Sequence, residues 1–182
     1  MENPSHGSSL AEFERLFVRP RAGRTLIVGS RIYKEREDRR LRYQDVLGVD
    51  MLSGPGVDVV ANLEDAHPEL GQFDHIECCS VLEHSARPWL LAAELQARLK
   101  PGGTLFVSAP FAWRVHGYPH DYWRFTAAGL RELFQAVEFS AVKYAGPSLW
   151  DPSEKPPMIR RPFPYLPRTE VAAFGVKACA SS

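Results

Sequence analysis

The sequence predicts an α/β fold: a doubly wound, mostly parallel sheet of seven strands with an antiparallel edge and helices on both faces. Three observations carry it. Short apolar runs that read as buried strands alternate with helical patterns through the first two-thirds of the chain, which points to parallel βαβ units. The first run ends in Gly29 and the second in Asp50, 21 residues later, a spacing that suits a ligand site at the carboxyl ends of neighbouring strands. The last two runs follow one another without a helical pattern between them, as an antiparallel edge requires.

Taken in order, residues 1–9 read as a loose leader. Leu10, Phe13, Leu16 and Phe17 recur at helical spacing and predict a short amphipathic helix. Thr25–Val28 is the first strand. Residues 31–42 carry six basic and three acidic residues and are expected to form a solvated helix or loop face. Val46–Asp50, Val57–Val60 and Phe73–Ser80 are the next three strands. Ser85 is placed to cap a helix, with Pro88 in its first turn and Leu90, Leu91, Leu95 and Leu99 on its apolar face. Pro101-Gly102-Gly103 ends that helix, and Thr104–Ala109 is the fifth strand. Thr126 caps a helix carrying Leu130, Leu133 and Phe134. Phe139–Tyr144 and Val171–Ala178 complete the strands. Between them, residues 147–168 contain seven prolines, which rules out a regular helix or a central strand and predicts an extended connection along the domain edge. Residues 1–182 read as one domain, and right-handed crossovers leave few topologies.

The composition, 45% apolar and 24% charged over 182 residues, is that of a globular chain with a core. Lys plus Arg and Asp plus Glu both total 22, so no global charge favours nucleic acid or an anionic membrane as partner. No apolar run approaches a bilayer span, and no basic segment followed by an apolar run marks a secretory signal. Adjacent Cys78 and Cys79 would point to opposite faces of a strand, so they are expected as buried reduced thiols of a cytoplasmic protein.

Chemistry concentrates at the strand ends. A glycine after the first strand lets backbone approach a ligand, and a carboxylate after the second can accept both hydroxyls of a ribose. Asn62, Leu63 and Glu64 after the third strand offer a polar edge and an apolar face to a ring. Ser80, Val81 and His84 follow the fourth. After the fifth comes a loop crowded with Phe111, Trp113, His116, Tyr118, His120, Asp121, Tyr122, Trp123 and Arg124. His116 and His120 with Asp121 are loop-borne, flank Gly117 and Pro119, and have no cysteine pair to complete a zinc set, so no metal is expected. A histidine that titrates near neutrality is better suited to take a proton from an attacking group. His116 and His120 are the first candidates and His84 the third. Asp121 would orient the base, Arg124 would hold an anionic group, and Trp113, Tyr122 and Trp123 would wall an acceptor pocket.

The ordered set of Gly29, Asp50, the Asn62-Leu63-Glu64 step, FDHIECCSVLEH at 73–84, LKPGGTLFVSAP at 99–110 and HDYWRFT at 120–126 resembles class I S-adenosylmethionine-dependent methyltransferases, in particular the small type 11 group. The resemblance covers about residues 24–134. It implies a Rossmann-like seven-stranded sheet with S-adenosylmethionine in a crevice at the carboxyl ends. It also implies that Gly29 and Ser30 match the glycine-loop strand end, Asp50 the ribose-binding acid, Met51 the residue packing on adenine, and Leu63 and Glu64 the adenine-edge segment. Ser80 and Val81 match the contact to the methionine part. The implied activity is methyl transfer to a small-molecule or sugar acceptor.

One departure stands out. The family loop reads Gly-x-Gly-x-Gly, and here it is Gly29-Ser30-Arg31-Ile32-Tyr33. Arg31 is expected to replace lost backbone contacts by pairing with the cofactor carboxylate. The alternative is a non-catalytic methyltransferase-like binding or scaffold subunit with weakened or lost cofactor binding. A nicotinamide oxidoreductase would need a second phosphate-binding glycine and a Tyr-Lys pair at helical spacing, and neither is present. The N-terminal helix and the proline-rich segment are the candidate surfaces for a homodimer or a protein partner.

Overall fold

The computed structural model describes residues 10–17, 22–33, 37–116, 120–148 and 168–179. The expected leader over 1–9 and most of the proline-rich connection lie outside them. The elements run α1 (Leu10–Phe17), β1 (Arg24–Val28), a 3-10 turn (Arg39–Arg42), β2 (Asp45–Asp50), β3 (Val59–Val60), a second turn (Pro68–Leu70) and β4 (Phe73–Cys79). A third turn (Leu82–His84), α2 (Pro88–Arg98), β5 (Leu99–Pro110), α3 (Ala127–Leu133), β6 (Val137–Ser148) and β7 (Arg168–Lys177) follow.

All seven strands join one sheet in the order β3-β2-β1-β4-β5-β7-β6. The pairs from β3 to β5 are parallel, and β7 runs antiparallel to both β5 and β6. The antiparallel strand is therefore one place in from the edge, and β6 is outermost. Chain order reverses at β1, whose neighbours are β2 and β4, and this is the point at which an open sheet parts to form a ligand crevice. Register then fixes the rim. Val28 is level with Val49 and with Cys78, and Cys79 with Ser108, so Gly29, Asp50 and Ser80 emerge together at one edge.

Side chains alternate between two unlike faces. On one, Leu26, Val28, Ile76, Cys78, Leu105 and Val107 pack with Leu91 and Leu95 of α2 and Leu130 and Phe134 of α3. The other is thinner: Ile27, Phe106, Ala172 and Phe174 are covered by Tyr43 and Phe17, with the Phe17 and Phe174 rings stacked at 5.0 Å. Cys78 and Cys79 are free thiols that join opposite faces, as strand alternation requires.

This thinner face explains a departure from expectation. Residues 31–42 are not simply a solvated face. Arg39 turns inward and donates to Glu77 Oε2 at 3.0 Å, to Cys79 Sγ at 2.9 Å and to Glu14 Oε1 of α1. Tyr43 also donates to Glu77. Burial alone would raise the Glu77 carboxyl, but His75, Tyr43 and the Arg39 charge outweigh it and hold the group below its ordinary range. Arg40 pairs with Asp38 and Asp58, and Arg42 with Glu37.

Three local expectations are also corrected. Ser85 does not cap α2. The cap position is Arg87, with Pro88 at the first helical position, and the Ser85 hydroxyl donates instead to Glu64. Helix α2 stops at Arg98, and β5 begins at once, because Leu99 already pairs with Phe73; Pro101-Gly102-Gly103 then form an irregularity inside the strand before Thr104 pairs with His75. Gly102 takes φ +75° there, which only glycine adopts without strain. The third strand is shorter than Val57–Val60. Thr126 caps α3 as expected, accepting from Gly129 N at 3.0 Å. No helix among the described residues is long and apolar enough to cross a membrane.

Candidate functional site

A cleft of about 1000 Å³ opens along the carboxyl edge of β1, β2, β4 and β5. One end is built from backbone. Gly29 turns the chain at φ +69°, and its N–H donates to Val49 O at 2.9 Å. A Cβ at Gly29 would lie 2.5 Å from Val81 Cγ2, so both dihedral and space demand glycine. Across the crevice, Ser80 adopts φ +54°, the only positive value at a non-glycine among the described residues. Its N–H donates to Ser108 O at 2.9 Å, which holds the strained residue at the rim.

Asp50 closes this end. Its carboxylate accepts from Arg31 N at 3.2 Å and from Leu52 N at 3.0 Å, so the loop backbones fix its orientation. Met51 and Leu52 are exposed beside it, and Leu63 is buried behind. The Arg31 guanidinium lies 4.9 Å over the Tyr33 ring and lines the cleft. Ser30 turns away: it is buried next to Gly48 and lines a small neighbouring cavity.

Glu64 lines the cleft but its carboxylate is fully engaged. Oε1 accepts from Ser85 Oγ and Ala86 N, each at 2.8 Å, and Oε2 accepts from Arg87 Nε at 2.9 Å. Burial opposes the charge, yet these donors hold the carboxyl below its ordinary range. Glu64 thus straps the loop after β3 to the start of α2.

The other end is built from ionisable side chains. Glu83, in the turn after β4, is fully buried, and neither carboxylate oxygen has a hydrogen-bond partner. Burial pushes its carboxyl up to about 7, with the charges of Asp121 and Glu170 adding to the shift. His84 Nε2 lies 3.8 Å and His116 Nε2 3.9 Å from Glu83 Oε1. The His84 Nδ1 atom is 2.6 Å from the His120 carbonyl. A carbonyl only accepts, so the neutral His84 carries its proton on Nδ1 and presents a bare Nε2. His116 Nδ1 sits 3.0 Å from Asp121 Oδ2 without hydrogen-bond geometry, and Asp121 accepts instead from the His116 backbone N–H at 2.8 Å.

Of the three candidate bases, then, the structure brings His84 and His116 together. The exposed His120 ring packs 5.5 Å from Tyr122, and it is the residue's carbonyl that serves the cleft. Trp113 lines the cleft. Tyr122 and Trp123 do not. Tyr122 N donates to Glu83 O, and Trp123 Nε1 donates to Ser85 O at 2.9 Å while its ring meets Trp89 edge-on. Arg124 donates to Asp121 and to the carbonyls of Trp113, Arg114 and Trp123, and so staples the loop. The same pairing holds the Asp121 carboxyl well below the carboxylate range. Glu83 escaped notice in the sequence, although an acid between Leu82 and His84 with no lysine or arginine within two positions is a usable signal.

Residues 35–107 match the family model of the methyltransferase domain. The chain has a class I S-adenosylmethionine-dependent methyltransferase fold. No protein of curated function matches it in sequence. Among solved structures, it resembles the Burkholderia thailandensis 1,6-didemethyltoxoflavin-N1-methyltransferase, solved with that compound and S-adenosylhomocysteine, at 15% identity and TM-score 0.62 over 93% of this chain and 76% of that one. It resembles the N-methyltransferase NodS of Bradyrhizobium japonicum with S-adenosylhomocysteine at 14% identity and TM-score 0.61, over 93% and 89%. It also resembles the protein solved with the Trm112 methyltransferase activator of Haloferax volcanii at 16% identity and TM-score 0.60, over 91% and 86%. The first two of these structures were solved with S-adenosylhomocysteine, the product form of S-adenosylmethionine. The residues present fit it: glycine stands where a Cβ would collide, a strained rim residue faces it, and a braced carboxylate lies at the end of the second strand.

Proposed function

We propose that the protein transfers a methyl group from S-adenosylmethionine to a small-molecule or sugar acceptor. The observation that carries this reading is that one continuous cleft joins Gly29 and Asp50 at one end to Glu83, His84, His116 and Trp113 at the other. Gly29, Asp50 and Met51 with Leu63 would hold the nucleoside, and Ser80, Val81 and Arg31 the amino-acid part. Arg31 has no carboxylate partner among the described residues, so its charge is available to an anionic group.

The bound cofactor supplies an electrophilic methyl group on sulfur. The chain's own contribution is alignment and exclusion of water. Trp113 would wall the acceptor end, where His84 and His116 also line the cleft and would take the proton an acceptor loses. His120 has no such placement.

Calorimetric titration with S-adenosylhomocysteine tests the reading. Micromolar binding is expected, falling by about 10–100-fold in Asp50→Ala, the loss of charge-assisted hydrogen bonds worth about 1.5–3 kcal/mol. The loop Gly29-Ser30-Arg31 favours a second reading, a binding or scaffold subunit without catalysis, and absence of binding at millimolar ligand would select it.

A further inference from the structure

Three features of Glu83 and its neighbours are unexplained by methyl transfer alone. Glu83 is buried to the last atom, yet both its oxygens lack a hydrogen-bond donor. An isolated buried carboxylate is costly and is normally paired or bound to a cation. The basic residue nearest to it in charge, Arg124, is committed to Asp121. Second, two imidazole Nε2 atoms converge on the same carboxylate oxygen at 3.8 and 3.9 Å. Third, both histidines are held from behind. The His120 carbonyl takes the Nδ1 proton of His84, and the Asp121 carboxylate accepts from the His116 backbone N–H at 2.8 Å. For His84, an outer brace of this kind fixes the tautomer and aim of a metal-ligating imidazole.

We propose that Glu83, His84 and His116 form a binding site for one divalent transition-metal cation at the acceptor end of the cleft. Their ligand atoms all lie within 4.8 Å of one another. Donors bound at about 2.0–2.2 Å stand about 3–3.5 Å apart, so small side-chain rotations close the set. Two imidazoles and one carboxylate favour zinc, iron(II), cobalt(II) or manganese(II) over magnesium or calcium, which prefer all-oxygen sites. Three protein ligands on one side leave the positions facing the cleft open. Glu170 lines the same cleft and adds negative charge beside Glu83.

This rests on the methyltransferase reading and narrows it. With a cation in place, His84 and His116 act as ligands instead of bases. The open positions then select an acceptor that offers a hydroxyl oxygen as a further ligand, a sugar or a hydroxylated small molecule. The expectation from sequence that no metal is present considered His116 and His120 with Asp121, whereas the set proposed here joins His116 to Glu83 and His84.

The test is titration of tag-free, EDTA-stripped protein with cobalt(II), followed by calorimetry and by the visible absorption of the bound ion, with S-adenosylhomocysteine binding measured on the same samples. The expected result is one cobalt per chain, an affinity at least tenfold weaker in each of His84→Ala, His116→Ala and Glu83→Gln, and an unchanged affinity in His67→Ala, whose ring pairs with Glu69 outside the cleft. Magnesium should not displace cobalt at equal concentration. Absence of stoichiometric binding, or binding that survives both histidine substitutions, overturns the cation site. If S-adenosylhomocysteine still binds in that case, the methyltransferase reading stands alone. If cobalt binds and S-adenosylhomocysteine does not, the cation site stands and the methyltransferase reading falls.

Discussion

The two ends of the cleft are made of different material. The end at β1 and β2 rests on backbone: a glycine at φ +69° and a carboxylate steadied by two loop N–H groups, with Ser80 after β4 facing them at φ +54°. The end at β4 and β5 is side chain: a buried acid, two imidazoles and a loop stapled by Arg124. Backbone recognition needs small residues at fixed strand ends and tolerates little else. Side-chain recognition needs convergence from separate segments and can be retuned one residue at a time. Substitutions should therefore break the two ends independently.

The largest effect is expected from Gly29→Val. It forces a branched side chain into φ +69° and into Val81, strain and overlap of about 1–3 kcal/mol each. S-adenosylhomocysteine affinity should fall by about 100-fold or more, while cobalt binding at the far end persists. Loss of both together would show that the ends are one unit.

An intermediate effect is expected at Glu83, on stability. Its folded carboxyl titrates at about 7 against an ordinary 4.5, so the fold favours the protonated form. That contribution is complete below pH 4.5 and is lost as pH rises through about 7. In EDTA, Glu83→Gln should match the natural protein at pH 4.5 and exceed it near neutrality by on the order of 1–3 kcal/mol. Thermal melts between pH 4.5 and 8 read this directly, and parallel curves would place the Glu83 charge elsewhere than in the buried turn.

Arg31→Ala should have the smallest effect, a roughly tenfold loss of S-adenosylhomocysteine affinity from one partly exposed charge-assisted contact. An unchanged affinity would mean that the backbone end functions without help from its loop arginine.

The backbone end was legible in the sequence because it depends on residue type at strand ends: Gly29 after one apolar run and Asp50 after the next are enough to place it. The sheet was legible for the same reason. The side-chain end was not. Its parts are Glu83-His84 after β4 and His116 after β5, and what completes it is a main-chain carbonyl, that of His120, which leaves no mark in the residue alphabet. The bonding of the aromatic loop was hidden in a related way. Tyr122, Trp123 and Arg124 look like ligand contacts, yet their hydrogen bonds go to neighbouring backbone and to Asp121, and the sequence does not say which way a loop faces. Arg39 was hidden by its company, because five other basic residues in the same stretch make an exposed face the natural expectation.

The placement of β7 between β5 and β6 has a consequence for the order of assembly. A chain made from its N-terminus completes Val137–Ser148 well before Arg168–Lys177, but β6 has no strand to pair with until β7 has docked on β5. The first five strands can zip together in turn as they emerge. The last two must wait and close as a single event. Until then the β5 edge that β7 will cover faces solvent and β6 stays unpaired, so the nascent protein is most open to association with other chains during the synthesis of its final segment.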